Sequence, residues 1–393
     1  MDKQTKGLIS LGFFTSLSGG VLRWKKMGTL GRELQLYRKL GALGLDVHVF
    51  SVDRQKDLLW TADDADCLGL KVHGLYPNWL PFNRALLVCL MPLLLLSKYF
   101  VGRQMDVLKT NQGHSGMHVM LAAVLWRKPY ISRSGYVLSE QLGNRSDISH
   151  KDRLLAVLER VVMRRAICCF VPTPYHVEWC REHVQCRQLE LMPNNVDASV
   201  FRPEAAARRE NYVLAVGRVV AMKRYDILSQ ACAKAGISLK IAGDGPDCDR
   251  VTKIAESSGC QLEMLGRVPN AELPSLMAGA AIYVICSEYE GHPKSLVEAM
   301  ACGCACIGTD SPGIRNQIRD GENGILAVGT ESGLAAAIRR IIDDDDLTKR
   351  IRTGARQYAL ENFSLEALAD KEAKILARLC AKRKGLKDRY AQS

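Results

Sequence analysis

What this chain of 393 residues has little of narrows its function first. Aromatic residues make up only 6%, too few for a platform that stacks the bases of single-stranded nucleic acid. The main apolar run, Ala85–Leu96, is twelve residues long, contains Pro92 and is bracketed by Arg84 and Lys98. A membrane-spanning helix needs about 20, so this run reads as a buried or interfacial helix. Met1–Ser10 carries Lys3 and Lys6 ahead of a short apolar run without a cleavage site, so no secretory leader is expected. The composition, 47% hydrophobic and 24% charged, excludes a disordered chain. Fourteen cysteines are present, but they sit inside apolar runs, as in Cys168-Cys169. There a free thiol behaves as a small hydrophobe, and the reading is a reduced, cytoplasmic protein.

The cofactor motifs are missing as well. Cys302-Gly-Cys304-Ala-Cys306 has no paired C-x-x-C elsewhere, so zinc is not expected. His114 and His118 share a helical spacing but have no third ligand in view. Gly303–Gly308 has the glycine spacing of a P-loop, with Thr309 where lysine is required. Ile241–Pro246 lacks the third glycine of the dinucleotide fingerprint. No cofactor and no metal are expected.

What is there begins with charge. The net charge is +12. Residues 1–195 hold 26 Lys and Arg against 16 Asp and Glu, while the remainder is nearly balanced. A basic half of this kind suits an anionic membrane, an acidic acceptor or nucleic acid, or is simply a solvated face. The expected helix Arg23–Leu43 opens with Arg23, Trp24, Lys25 and Lys26, an aromatic ring among cations. With Ala85–Leu96 it makes peripheral contact with an anionic membrane the expectation. Nucleic acid is not expected, because the aromatic platform is lacking.

Both halves alternate apolar strands with helical periods. In the first, strands are expected at Gly7–Thr15, Asp46–Val52, Asp106–Asn111, Pro129–Ser132 and Ile167–Pro172. In the second, strands at Tyr212–Val216, Ser238–Ala242, Gln261–Leu265, Ala281–Cys286 and Ala305–Gly308 alternate with helices at Tyr225–Ala235, Cys248–Ser257, Ala271–Met277, Lys294–Cys302 and Gly333–Ile342. Connections long enough for helices imply parallel sheets. The fold class is therefore α/β, two doubly wound Rossmann-like domains facing a central cleft. Breakers at Pro172, Pro174, Pro193 and Pro203 mark the joint. The expected division is 1–175, 176–365, and a basic helix 366–393 returning to the N-terminal domain.

Ligands of such folds sit beyond the carboxyl ends of the strands, and the chemical motifs fall there. Gly217-Arg218 follows one strand, and Lys223-Arg224 follows six residues later at a helix start. A glycine turn, cations and a helix N-terminus suit a diphosphate. In Ser287-Glu-Tyr-Glu290-Gly-His-Pro-Lys-Ser295-Leu-Val-Glu298, Glu290 lies on a loop and Glu298 on the helix after it. Two carboxylates so placed accept hydrogen bonds from polyols. The alternative makes them a helix-start acid and a buried partner of some cation.

Glu290-x7-Glu298 within EGHPKSLVEAMACG resembles the signature of the family-4 retaining glycosyltransferases of the GT-B fold. Other parts follow in order: Gly19-Gly20; Met192-Pro-Asn-Asn-Val-Asp197 with Phe201 and Pro203, where Asn195 replaces the usual glycine; Gly217-Arg218 with Lys223; Ile241–Pro246; Leu265–Val268; Thr309-Asp310, Gly313 and Asp320–Gly324. The resemblance implies a nucleotide-diphosphate sugar as donor and a glycan or lipid-linked sugar as acceptor in cell-envelope polysaccharide synthesis. It makes Glu290, Arg218 and Lys223 catalytic, the two cations neutralising the diphosphate and Glu290 meeting the sugar. Glu298 would take the ribose hydroxyls, backbone at Arg267-Val268 the base, and Gly20 would let a loop approach the phosphates. Gly217, Gly243 and Leu296 complete the donor side. Many relatives place a histidine after the strand Pro129–Ser132; here Ser132-Arg133-Ser-Gly135-Tyr136 stands instead, so Arg133, with His114 on the preceding loop, becomes the acceptor candidate. Metal-independent transfer is implied. Asp64-Ala-Asp66 and Asp247-Cys-Asp249 are the carboxylate pairs a metal-dependent transferase would use. A sugar-nucleotide epimerase, a phosphorylase and a non-catalytic basic binding module are the rival readings.

Overall fold

The computed structural model describes residues 9–17, 19–80, 83–113, 116–142, 148–203 and 210–391, and gives only the backbone course at 84 and 382–391. His114 lies outside the described residues. The chain divides into two compact units. One runs to Met192 and resumes at Leu368; the other is Pro193–Ala367.

The first unit carries seven strands: β1 (Ser10–Phe14), β2 (Asp46–Arg54), β3 (Lys71–Tyr76), β4 (Val107–Thr110), β5 (Tyr130–Arg133), β6 (Cys168–Val171) and β7 (Leu189–Leu191). Their order is β3-β2-β1-β4-β5-β6-β7, and every pairing is parallel. Because β7 and the helix Pro174–His183 belong to this sheet's layer, the unit extends past the sequence boundary at residue 175. The second unit carries β8 (Glu210–Val216), β9 (Ser238–Ala242), β10 (Leu262–Gly266), β11 (Ala280–Ile285), β12 (Ala305–Thr309) and β13 (Ile325–Ala327), ordered β10-β9-β8-β11-β12-β13, again all parallel. These are two doubly wound sheets. In each, strand order reverses between the first strand and the fourth, and the loops leaving those two strands open a crevice at the carboxyl edge.

Burial explains the strand sequences. Val213, Leu214, Ala215, Ile282, Val284 and Ile307 are covered on both faces by helices, so central strands read as continuous apolar runs. The thiols of Cys302, Cys304 and Cys306 fill the core as well, Cys304 donating to the Met277 carbonyl at 3.0 Å.

The stretch expected as one helix at Arg23–Leu43 is two, Val21–Lys26 and Leu30–Ala42, split at Gly28 with φ +66°. Side chains at its start are engaged by the fold. Trp24 is buried, with its ring stacked on Phe13, and Lys25 pairs with Asp64 at 2.7 Å while lying over the Trp60 ring. The long helix Leu365–Ala391 passes from the second unit into the first. There Glu372 forms an ion pair with Lys109 of β4, both side chains fully enclosed, and Arg378 pairs with Glu190. Burial pulls the Lys109 ammonium below the usual lysine range, and Glu372 beside it opposes that shift.

Candidate active site

In the second unit the crevice lies between the loops that leave β8 and β11. Gly217 follows β8 with φ +150°, a backbone conformation L side chains rarely adopt. The loop after β9 stacks directly on it. A Cβ on Gly243 would lie 1.8 Å from the Gly217 carbonyl, and one on Gly245 would lie 2.1 Å from that of Val219. Val219 N–H donates to the Asp244 carbonyl at 3.1 Å. The two bare backbones therefore fix one another and leave Arg218 exposed; Arg218 makes no ion pair among the described residues.

Lys223 ends the same loop, one residue before Arg224, which caps the helix Tyr225–Ala235 in the left-handed region. The buried Cys286 thiol at the end of β11, pushed up to about 12 by burial, donates to the Lys223 carbonyl at 3.0 Å and ties the two loops together. Lys223 Nζ forms an ion pair with Glu290 Oε1, and Ser287 Oγ donates to the same oxygen at 2.6 Å. Thr309, at the end of β12, donates to the Ser287 carbonyl at 2.9 Å. Beneath the loop is Gly313, where a Cβ would lie 1.9 Å from the Glu290 carbonyl oxygen. Three strand ends and one glycine thus position a single carboxylate.

The structure brings Gly217, Gly243, Lys223 and Glu290 to one edge of this sheet. Glu298 sits on the helix Lys294–Ala301 and is buried. Arg267, after β10, is exposed and pairs with Asp244 at 3.3 Å, so the turn at Arg267-Val268 borders the β9 loop. Leu296 lies on the same helix as Glu298. Its side chain has no exposed surface and packs in the core beside Val297 and Met300, as the inward face of an amphipathic helix does.

In the first unit Gly20 precedes the helix Val21–Lys26. A Cβ there would lie 2.2 Å from Asp53 Oδ2. Asp53 and Ser51, from the end of β2, accept the Leu22 and Val21 N–H groups at 3.0 Å each, and Ser51 donates to Asp53 at 2.6 Å. What the glycine is seen to admit is therefore a carboxylate of the chain itself. Beside it lies a cavity of about 270 Å³ lined by Arg23, Lys26, Arg54 and Asp57 among others. Arg133, the last residue of β5, donates from its backbone to Thr110 Oγ1 at 2.9 Å and from its guanidinium to the Asn111 carbonyl at 3.4 Å. It stands at the carboxyl end of β5, one strand away from the β1–β4 switch point.

Three of the four carboxylates weighed as metal ligands, Asp64, Asp66 and Asp247, lie against cations of the protein. Asp64 takes Lys25 and the Asp66 N–H, Asp66 lies 3.7 Å from Arg38, and Asp247 lies 3.6 Å from Arg250. Sequence reading assigned no role to Ser287, Thr309, Ser51 or Asp53. Ser51, Asp53 and Thr309 reach Val21, Leu22 and Ser287 across 22 to 31 residues of chain, which no local spacing reveals, whereas Ser287 reaches Glu290 three residues on. Ser287 carried a signal in its place at a strand end before the Glu290 loop, and Thr309 in the motif Thr309-Asp310.

A family described as "Glycosyl transferase 4-like domain" matches residues 32–195, and one described as "Glycosyl transferases group 1" matches residues 197–358. The chain belongs to the glycosyl transferases group 1 family. The family's match spans Gly217, Lys223, Glu290 and Glu298. A lipopolysaccharide core biosynthesis glycosyltransferase, LpsE of Rhizobium meliloti, is 31% identical over 171 residues, covering 42% of this chain and 49% of that protein. Alpha-maltose-1-phosphate synthase of Mycolicibacterium smegmatis is 23% identical over 86% of this chain and 96% of its own length. The chain nevertheless spans only about half the length of several curated relatives it matches. Sucrose-phosphate synthase from Thermosynechococcus elongatus superposes with a TM-score of 0.78 at 19% identity, over 95% of this chain and the whole of that one. HepE of Anabaena, solved with UDP and glucose, gives 0.73 at 18% identity over 94% of this chain and all of its own. These likenesses show the fold, two-domain GT-B.

Proposed function

We propose that this protein transfers a hexosyl unit, with retention of configuration and without a metal, from a nucleotide-diphosphate sugar to a glycan or lipid-linked sugar of a cell-envelope polysaccharide, working in the cytoplasm. The observation that carries the reading is the Lys223–Glu290 pair at the switch point of the second sheet, beside the bare Gly217 and Gly243 backbones and exposed Arg218. HepE, solved with UDP and glucose, shares the fold, which supports a donor of this class.

In this reading the second unit binds the donor. Arg218 and Lys223 neutralise the diphosphate as the sugar C1–O bond breaks, in the manner of preorganised charge at a leaving group. The N-terminus of the helix Tyr225–Ala235 adds its positive end. Glu290 Oε1 is taken by Lys223 and Ser287, which leaves Oε2 to accept a sugar hydroxyl. Glu298 meets the ribose, and the turn at Arg267-Val268 meets the base. Gly20 of the first unit is assigned to the donor phosphates, and Arg133 and His114 to the acceptor. The Asp64 and Asp247 pairs, engaged by Lys25 and Arg250, support a metal-free mechanism.

Incubation with a panel of nucleotide sugars tests this. At least one donor is hydrolysed or transferred with the anomeric configuration kept, as read by NMR, and EDTA leaves the rate unchanged. Turnover that requires Mg²⁺ or Mn²⁺ overturns the metal-free part; inverted product overturns retention; turnover of no donor overturns the activity.

A further inference from the structure

The helix Arg84–Ser97 has two apolar faces. Leu87, Met91, Leu94 and Leu95 point into the core of the first unit. The opposite face is apolar too: Val88 is 57% exposed, Leu93 63% and Leu96 48%. The stripe continues into the next helix, Tyr99–Gln104, with Phe100 at 83%, and Trp79 on the preceding loop is 80% exposed. A water-facing helix surface ordinarily carries charges, and large side chains exposed together mark a site of contact. No helix among the described residues is long and apolar enough to cross a membrane.

The surrounding charge selects the occupant. Between Asp66 and Glu140 the sequence holds one acid, Asp106, whose carboxylate accepts the Ser10 N–H at 3.0 Å. Of the eight Lys and Arg there, Lys109 is enclosed with Glu372 and Lys71 pairs with Asp46, while half-buried Lys98 and exposed Arg103 lie beside the stripe. Arg103 is exposed one turn after Phe100 and lies 5.9 Å from the Tyr99 ring. A symmetric second copy would bring these cations against one another, since a two-fold interface meets itself. An anionic lipid surface neutralises them while its acyl boundary takes the apolar stripe, as amphipathic interfacial helices do.

We propose that the stripe Val88–Leu93–Leu96–Phe100, with Trp79, is the surface by which this protein docks on anionic phospholipid. This moves the contact away from Trp24 and Lys25, which the fold engages elsewhere. It deepens the reading of a lipid-linked acceptor and rests on it, but vesicle binding needs neither donor nor acceptor. A chain that binds vesicles and turns over no nucleotide sugar sinks the enzymatic reading alone.

Co-sedimentation with vesicles of phosphatidylcholine alone, and of equimolar phosphatidylcholine and phosphatidylglycerol, is the test. The protein sediments with the phosphatidylglycerol vesicles, is released as salt is raised, and its Trp79 emission shifts to the blue, a shift lost in Trp79→Phe. Leu93→Glu with Leu96→Glu weakens binding at least about tenfold, a charge at this depth being costly, with an unchanged unfolding midpoint. Phe100→Ser is the independent variant should that pair fail to fold, and it also binds more weakly. Wild-type protein that stays in the supernatant at low salt overturns the proposal. So does equal binding by the folded variants, or a concentration-dependent dimer that disappears in them without any vesicle binding.

Discussion

Glu290 receives Lys223 and Ser287 on one oxygen, so the two substitutions at this pair have different consequences. Glu290→Gln keeps the shape and removes the charge. Its kcat falls by at least about tenfold while donor affinity changes little, the pattern of an interaction strengthened in the transition state. Lys223→Ala removes a diphosphate contact and also releases Glu290, so KM and kcat worsen together. Steady-state kinetics of the two variants separate these outcomes; matched profiles would contradict the division of roles. Glu298→Ala weakens binding of the free nucleotide, read by calorimetry, because its assigned partner is the ribose. At this scale the sequence marked the loops that meet and was blind to what supports them. Motif and spacing put Glu290 and Lys223 on loops at one sheet edge, where they pair, whereas Ser287 reaches Glu290 only because the loop folds back. The Leu296 side chain follows the inward face of its helix into the core, as an apolar residue inside a motif does.

Among the elements, the central strands were readable within a residue or two. They are buried on both faces and bounded by turn residues, as with Ser238–Ala242. The strands at β3, β7 and β13 were missed. All three lie at sheet edges, β7 and β13 have three residues each, and β3 includes exposed Lys71 and half-buried His73. An edge strand needs little continuous apolar sequence. The break at Gly28 was likewise hidden inside a helical period. The contact between the β8 and β9 loops gives a prediction of its own. Gly243→Ala pushes a methyl into the Gly217 carbonyl, so donor affinity drops at least about tenfold by displacement of that backbone; an unchanged affinity by calorimetry would show that the loops are not part of the site.

For the whole molecule, the enclosed Lys109–Glu372 pair fastens the C-terminal helix to the first sheet. Lys109→Ala leaves a buried carboxylate alone and costs about 3–5 kcal/mol, whereas Lys109→Met with Glu372→Leu recovers most of that. Urea unfolding measures both, and a mild single variant would contradict the burial. Acid acts on the first unit through His73 and His176, each held down to about 4 by burial. An unfolded histidine titrates near 6.5, so between these values the unfolded chain takes up protons that the folded one does not. Stability is full above about 6.5 and falls as pH drops toward 4; a urea midpoint unchanged between pH 7 and pH 5 would refute this. The account as a whole rests on the second unit holding a nucleoside diphosphate against Arg218. Calorimetric titration of UDP, GDP and ADP into the wild type and Arg218→Ala tests that most directly. The account predicts that at least one nucleotide binds and that Arg218→Ala weakens it roughly 10–100-fold, the loss of a charge-assisted hydrogen bond. Binding of none of the three, or equal affinity in the variant, would contradict it.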